Sequence, residues 1–156
     1  MTTAVAEEAL SYGSELEAVV CYHPPIFRGL KSLTLSNPLQ RSLLSLCANG
    51  TSVWSIHTSA DNSQHGPNAW WCDRIKAQSS EYIKPFQKGK DEAGGLGRIA
   101  RFEEPVSLND LLARVDGALE DGVKLHVAPA PRTNTSVKSV AICVGSGLPS
   151  CCCQVR

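Results

Sequence analysis

Residues Glu17–Thr34 read EAVVCYHPPIFRGLKSLT. Ala18–Tyr22 is a short apolar run with strong strand propensity, expected as a buried strand. It ends on His23, and Pro24 and Pro25 follow at once. Proline has no N–H to offer a ladder and is excluded from a helix interior, so the chain must leave the sheet there. Working outward, Asn37 can cap a helix with Pro38 at its first position. That helix is expected to run to about Ala48, with Leu39, Leu43, Leu44 and Cys47 on one face. Asn49–Gly50 ends it. Thr51–Ile56, TSVWSI, is β-branched and aromatic and predicts a second strand.

Strand, helix and strand in one sheet imply a right-handed crossover and parallel strands. The C-terminal ends of both strands then open on the same edge, where open α/β sheets carry their ligand sites. His23 follows the first strand directly. His57 follows the second directly, in HTSAD, and Asp61 lies four residues further on. Two imidazoles and a carboxylate on separate loops are therefore expected to converge, with the two prolines stiffening the His23 loop. Zn, Fe, Mn or Co accept such a nitrogen and oxygen ligand set. Competing readings stand beside this one. A lone strand-end histidine is ordinarily a surface or hydrogen-bonded residue, and Asp61 in SADNS resembles a helix-capping aspartate.

Elsewhere, Thr3–Tyr12 predicts a helix capped by Thr2 or Thr3 and stopped by Gly13. A further helix is expected over Asn68–Ala77. The polar, Lys- and Gly-rich stretch Gln78–Gly95 reads as a loop, and Gly97–Phe102 as a strand. Ser107 with Asp110 resembles a capping box, opening a helix whose stripe is Leu108, Leu111, Leu112, Val115 and Leu119, ending at Gly122. Val123–Val127 and Val137–Val144 read as two more strands. The alternation of strands and helices predicts an α/β fold, a mixed sheet with flanking helices.

The totals narrow the function classes. The 156 residues amount to one domain's worth of chain, with zero formal net charge and only 19% charged residues. No basic stripe points to nucleic acid. No apolar run approaches the ~20 residues that span a bilayer. The opening MTTAVAEEAL holds two glutamates and no base, unlike a signal peptide. Without an export signal the seven cysteines are expected to be reduced thiols. A cytoplasmic location is expected, with nucleus and mitochondrion as alternatives. His65 reads as a surface loop residue and His126 as structural. The GSG at Gly145–Gly147 is too short to claim a phosphate loop. Cys151, Cys152 and Cys153 lack the C-x-x-C spacing that lets two thiolates grip one ion.

Several segments are similar to one known family. CYHPPIFRGLKSLT and SIHTSADNSQHGPNAWWCDRI resemble the eukaryotic branch of the Ngg-one-interacting-factor-three-like proteins, whose bacterial relatives are called GTP cyclohydrolase I type 2 homologues. GGLGRIARFEEPVSLNDLLARV and VKSVAICVGSG fit the same family. The combination of Y-H-P-P-I-F with H-T-x-x-D and G-x-N is specific. The resemblance implies a dinuclear site for divalent metal ions in an α/β fold, and ring-like homo-oligomers built from dimers. By it, His23 corresponds to a metal-binding histidine and Asp61 to a metal-binding, bridging carboxylate. His57 corresponds to the motif histidine lining the site, suited to shuttling a proton.

Tyr22 stands where bacterial members carry a second imidazole. With an ordinary pKa near ~10 a tyrosine is a poor replacement ligand. The family also carries a further His and Glu in a C-terminal segment, and an opening helix and strand, that have no match here. The resemblance thus implies a partial family domain over residues 1–147, an atypical Cys-rich tail over 148–156, and an incomplete metal site. Two functions follow as expectations: a metal-dependent hydrolase-like enzyme, inactive in this chain, or a non-catalytic protein-interaction or transcription-linked regulator.

Overall fold

The computed structural model describes residues 1–86, 94–128 and 136–145. The chain divides into two units, Met1–Ala60 and Asp61–Arg156.

In the first unit, the Thr2 hydroxyl accepts the Val5 N–H and opens α1 (Thr3–Ser11). Gly13, at φ +60°, turns the chain through one 3-10 turn toward β1 (Ala18–Cys21). The Asn37 side chain accepts the Gln40 N–H at 3.2 Å and Pro38 opens α2 (Pro38–Ala48), as its sequence predicts. β2 (Ser52–Ser55) pairs with β1 in parallel, Val19 against Val53 and Val20 against Trp54. Ala6 and Ala9 of α1 are small enough to admit Leu46 of α2, which is wholly buried, and Val19 and Val53 pack on this cluster. Burial of such a leucine contributes about 1.5–3 kcal/mol.

Two expectations are corrected here. β1 is not buried along its length. Its side chains alternate, and the face bearing Val20 and Trp54 is open, at 64% and 67% exposure. On α2 the buried positions include Leu46, whereas Cys47 is exposed. Leu43, Leu44 and Cys47 line a cavity with Pro24, Ile26 and Leu33. The helix thus serves two surfaces, α1 on one side and the proline loop on the other. A short helix, α3 (His57–Asp61), follows β2 where the sequence suggested only a turn.

In the second unit, α4 (Pro67–Arg74) is shorter than expected and ends as Lys76 takes a left-handed backbone, φ +60°. β3 (Ser79–Pro85), β4 (Gly95–Ser107) and β5 (Ser136–Ile142) form an antiparallel sheet in that order. The parallel and antiparallel pairings of this mixed α/β fold thus lie in separate sheets. Ser79–Pro85 falls within the stretch read as a loop. Its two serines, Glu81 and Lys84 disguise a strand whose pairing comes from β4. β4 is irregular between Arg101 and Val106, where its register with β5 shifts.

The Ser107 hydroxyl accepts the Asp110 N–H at 3.0 Å and donates to Asp110 Oδ2 at 2.7 Å, a side-chain-to-side-chain form of the expected capping box, and opens α5 (Leu108–Asp116). Gly117 caps α5, so the helix stops short of Leu119 and Gly122. Val123–Val127 is not a strand. It pairs with no other strand among the described residues, and Val123 and Val127 are exposed. Cys72, Ile75, Ala100, Phe102 and Leu111 form the core between α4, α5 and the sheet. Burial pushes the Cys72 thiol above its ordinary pKa, partly offset by a Ser80 hydrogen bond and the Arg98 charge. No helix among the described residues is long and apolar enough to cross a membrane. The three adjacent cysteines, and Ser146 and Gly147 of the GSG, lie outside the described residues.

Candidate metal centre

The parallel pair delivers both strand-end histidines to one place. Backbone bonds carry the pairing past the strands themselves: Ile56 N–H to the Cys21 carbonyl at 3.1 Å, and His57 N–H to the Tyr22 carbonyl at 2.9 Å. The imidazoles of His23 and His57 lie 5.6 Å apart, centre to centre, tilted by 49°. Tyr22 meets both edge-on, at 4.8 Å from His23 and 5.6 Å from His57. Phe27 closes a further side of His57 at 6.2 Å. Edge-to-face contacts of this kind orient rings and are worth about 0.5–1.5 kcal/mol each. His23 is exposed and His57 half-buried. His57 also has φ +22°, a backbone value that side chains rarely adopt.

Asp61 belongs to the second unit and is buried. Its main-chain carbonyl accepts a hydrogen bond from Asn68 Nδ2 at 2.8 Å. The two following ties are of the same kind. The Asn62 carbonyl accepts the Gly95 N–H at 3.0 Å, and the Gln64 carbonyl accepts Arg98 Nη2 at 2.7 Å. Arg98 is itself buried. It donates to the Ser80 hydroxyl, lies over the Tyr82 ring at 4.5 Å, and has no hydrogen-bond partner for Nε among the described residues. The ion pair seen in this sheet is instead Arg101 with Glu81, both exposed.

Of the residues singled out in the sequence, His23 and His57 are thus brought together within the first unit. Asp61 is fixed by its own neighbours in the second. His126 lines an apolar groove with Leu112 and Val115, not a strand. Asn68 and Arg98 were missed as site-supporting residues. Asn68 is the N of the G-x-N motif, so a signal existed. Arg98 carries no local signal, since its partners lie 16 to 34 residues away.

Metal–nitrogen bonds of about 2.0–2.1 Å put the ring centres of two histidines on one ion about 4.5–5.5 Å apart. The observed 5.6 Å lies just beyond that range. Among the described residues, no group of three or more His, Cys, Asp or Glu gathers as it stands.

A parallel strand pair with a histidine at each strand end, followed along the chain by an antiparallel sheet flanked by helices, defines a mixed α/β protein. Residues 1–153 match the family model Duf34/NIF3 (NGG1p interacting factor 3), and the chain belongs to that family. It is 37% identical to the Protein NIF3 homolog of Schizosaccharomyces pombe over 94% of this chain and 54% of that protein. It is 30% identical to NIF3-like protein 1 of Drosophila melanogaster, over 94% and 49% respectively. With the GTP cyclohydrolase 1 type 2 homolog of Streptococcus pneumoniae it shares 28% identity, over 90% and 51%. The chain spans about half the length of these curated relatives. Among solved structures, the Bacillus cereus protein related to NIF3 superposes with a TM-score of 0.71 at 15% identity, over 94% of this chain and 65% of that one. A Staphylococcus aureus protein gives 0.72 at 20% identity, over 94% and 58%. Likeness at these identities speaks for the fold alone.

Proposed function

We propose that this chain carries part of a divalent-metal centre of a hydrolase-like protein. His23 and Asp61 are the proposed ligands and His57 the proposed proton carrier. The observation that carries this reading is the meeting of His23 and His57 at the C-terminal ends of β1 and β2. A bound ion (Zn, Fe, Mn or Co) would polarise a substrate oxygen and lower the pKa of a bound water. The protein's own work is orientation and proton handling. Tyr22 and Phe27 hold the His57 ring edge-on, and His57 takes up or releases a proton at an imidazole nitrogen. Tyr22 in place of a second imidazole leaves the ligand set incomplete within these 156 residues. The name of the Streptococcus pneumoniae relative makes GTP the first substrate to assay, although a shared fold does not fix chemistry. A homo-oligomer in a cytoplasmic setting belongs to the same reading.

Elemental analysis after dialysis against Zn²⁺ or Mn²⁺ is expected to find fewer than two ions per chain, and fewer still in His23→Ala. Two tightly held ions retained in His23→Ala would overturn the ligand assignment.

A second reading, a non-catalytic interaction protein, draws on the loop after His23. Ile26, Phe27, Leu30, Leu33 and Leu35 are all exposed there, Phe27 at 75%. Apolar side chains gathered on a surface mark binding sites. The Saccharomyces cerevisiae relative is named NGG1-interacting factor 3. Protein capture that survives both chelation and His23→Ala, with no metal in the purified chain, would favour this reading over the first.

A further inference from the structure

We propose that Asn68 is a positioning residue for Asp61, coupling that residue to the end of β5 through one buried side-chain amide. The proposal rests on the reading of Asp61 as a metal ligand. Asn68 is 3% exposed and sits in the first turn of α4. Its amide does not serve its own helix. Gly66 occupies the cap position, with no side-chain cap bond, and Pro67 opens the helix. Both ends of the amide reach elsewhere. Nδ2 donates to the Asp61 carbonyl at 2.8 Å, and Oδ1 accepts the Val144 N–H at 3.0 Å.

These partners set the amide's polarity. A carbonyl only accepts and a backbone N–H only donates. A flipped amide would therefore set acceptor against acceptor and donor against donor, the first pair buried and the second half-buried, and unmade bonds cost most out of water. No other side chain of this size meets both requirements. Aspartate keeps the acceptor for Val144 but turns an oxygen toward the Asp61 carbonyl. Leucine loses both bonds.

Three ties hold the segment that begins at the last residue of HTSAD: Asn68 to Asp61, Gly95 to Asn62, and Arg98 to Gln64. Of these, the Asn68 bond alone falls on the proposed ligand residue. Holding the carbonyl of Asp61 restrains its backbone, and with it the direction in which the carboxylate leaves the chain. Outer-shell groups bonded to a ligating side chain typically carry about 10–100-fold in metal affinity, and the Asn68 tie acts one step back, through the backbone of the ligand residue.

The test titrates Co²⁺ into the full 156-residue chain, wild type, Asn68→Asp and Asp61→Asn. It reads affinity, the Co²⁺ d–d absorption, the melting midpoint, and hydrogen exchange at the Val144 amide. Asn68→Asp is expected to bind Co²⁺ about 10–100-fold more weakly with shifted d–d bands, while the Val144 amide stays protected. Asn68→Ser, smaller and uncharged, replaces it if the aspartate variant does not fold. Either folded variant with wild-type affinity and spectrum, while Asp61→Asn loses the ion, overturns the positioning role alone. Undiminished Co²⁺ binding by Asp61→Asn, or none by the wild type, overturns the ligand reading and the positioning role with it.

Discussion

His57 holds a side chain where the backbone favours none. Its φ of +22° lies outside the wells open to most residues, and such positions cost about 1–3 kcal/mol each. The bond from its N–H to the Tyr22 carbonyl fixes the strain in place. Glycine would relieve it at an unfolded-state cost of about 0.4–1 kcal/mol. Alanine would keep it. His57→Gly is therefore expected to be more stable than His57→Ala by about 1 kcal/mol. Urea midpoints measure the difference, and equal midpoints would show the backbone to be unstrained. Cys72 gives a second prediction at this scale. Its folded pKa is raised, chiefly by burial. The unfolded chain therefore sheds this proton first. Stability linked to Cys72 is whole below the ordinary thiol pKa, near ~8.5, and is lost as the pH climbs from there through the folded value. The pH dependence of unfolding above pH ~8.5 should flatten in Cys72→Ala. An unchanged slope would assign the loss to other groups.

Among the elements, α5 depends visibly on one residue. Ser107 both receives from and donates to Asp110. Ser107→Ala is expected to cost about 1 kcal/mol, read as a lower denaturant midpoint at unchanged slope. A loss below a few tenths would mean that the Leu111 anchor alone holds the helix. The same scale decides what could be read from sequence. β1, α2 and β2 were legible because their signals are local: Asn37–Pro38 at one end, Asn49–Gly50 at the other, and a proline pair closing the first strand. The meeting of His23 and His57 followed from that unit. β3 was not legible, because Ser79–Pro85 becomes a strand only by pairing with β4 across the sequence. Val123–Val127 failed in the opposite sense, having strand composition without a strand partner. Asn68 was visible as a motif letter, but its use depends on Val144, 76 residues away.

At the scale of the whole molecule, the first unit presents a two-stranded parallel pair with one face covered and the other open. Among the described residues β1 and β2 pair only with each other, so each also keeps an outer edge. Uncovered apolar strands template association. The chain is expected to associate in a concentration-dependent way, and Val20→Lys, on the open face, should reduce it. Sedimentation of a wild-type chain that stays monomeric at every concentration would contradict this.

Trp54 makes that open face optically readable. It is the one tryptophan of the first unit, since the other two, Trp70 and Trp71, stack edge-to-face in the second. With Trp70 and Trp71 replaced by phenylalanine, emission would come from the β1–β2 face alone. At its present exposure that light should be red-shifted and readily quenched by iodide. Whatever comes to cover the sheet, a second copy or another chain, would announce itself as a shift to shorter wavelength, with no label attached.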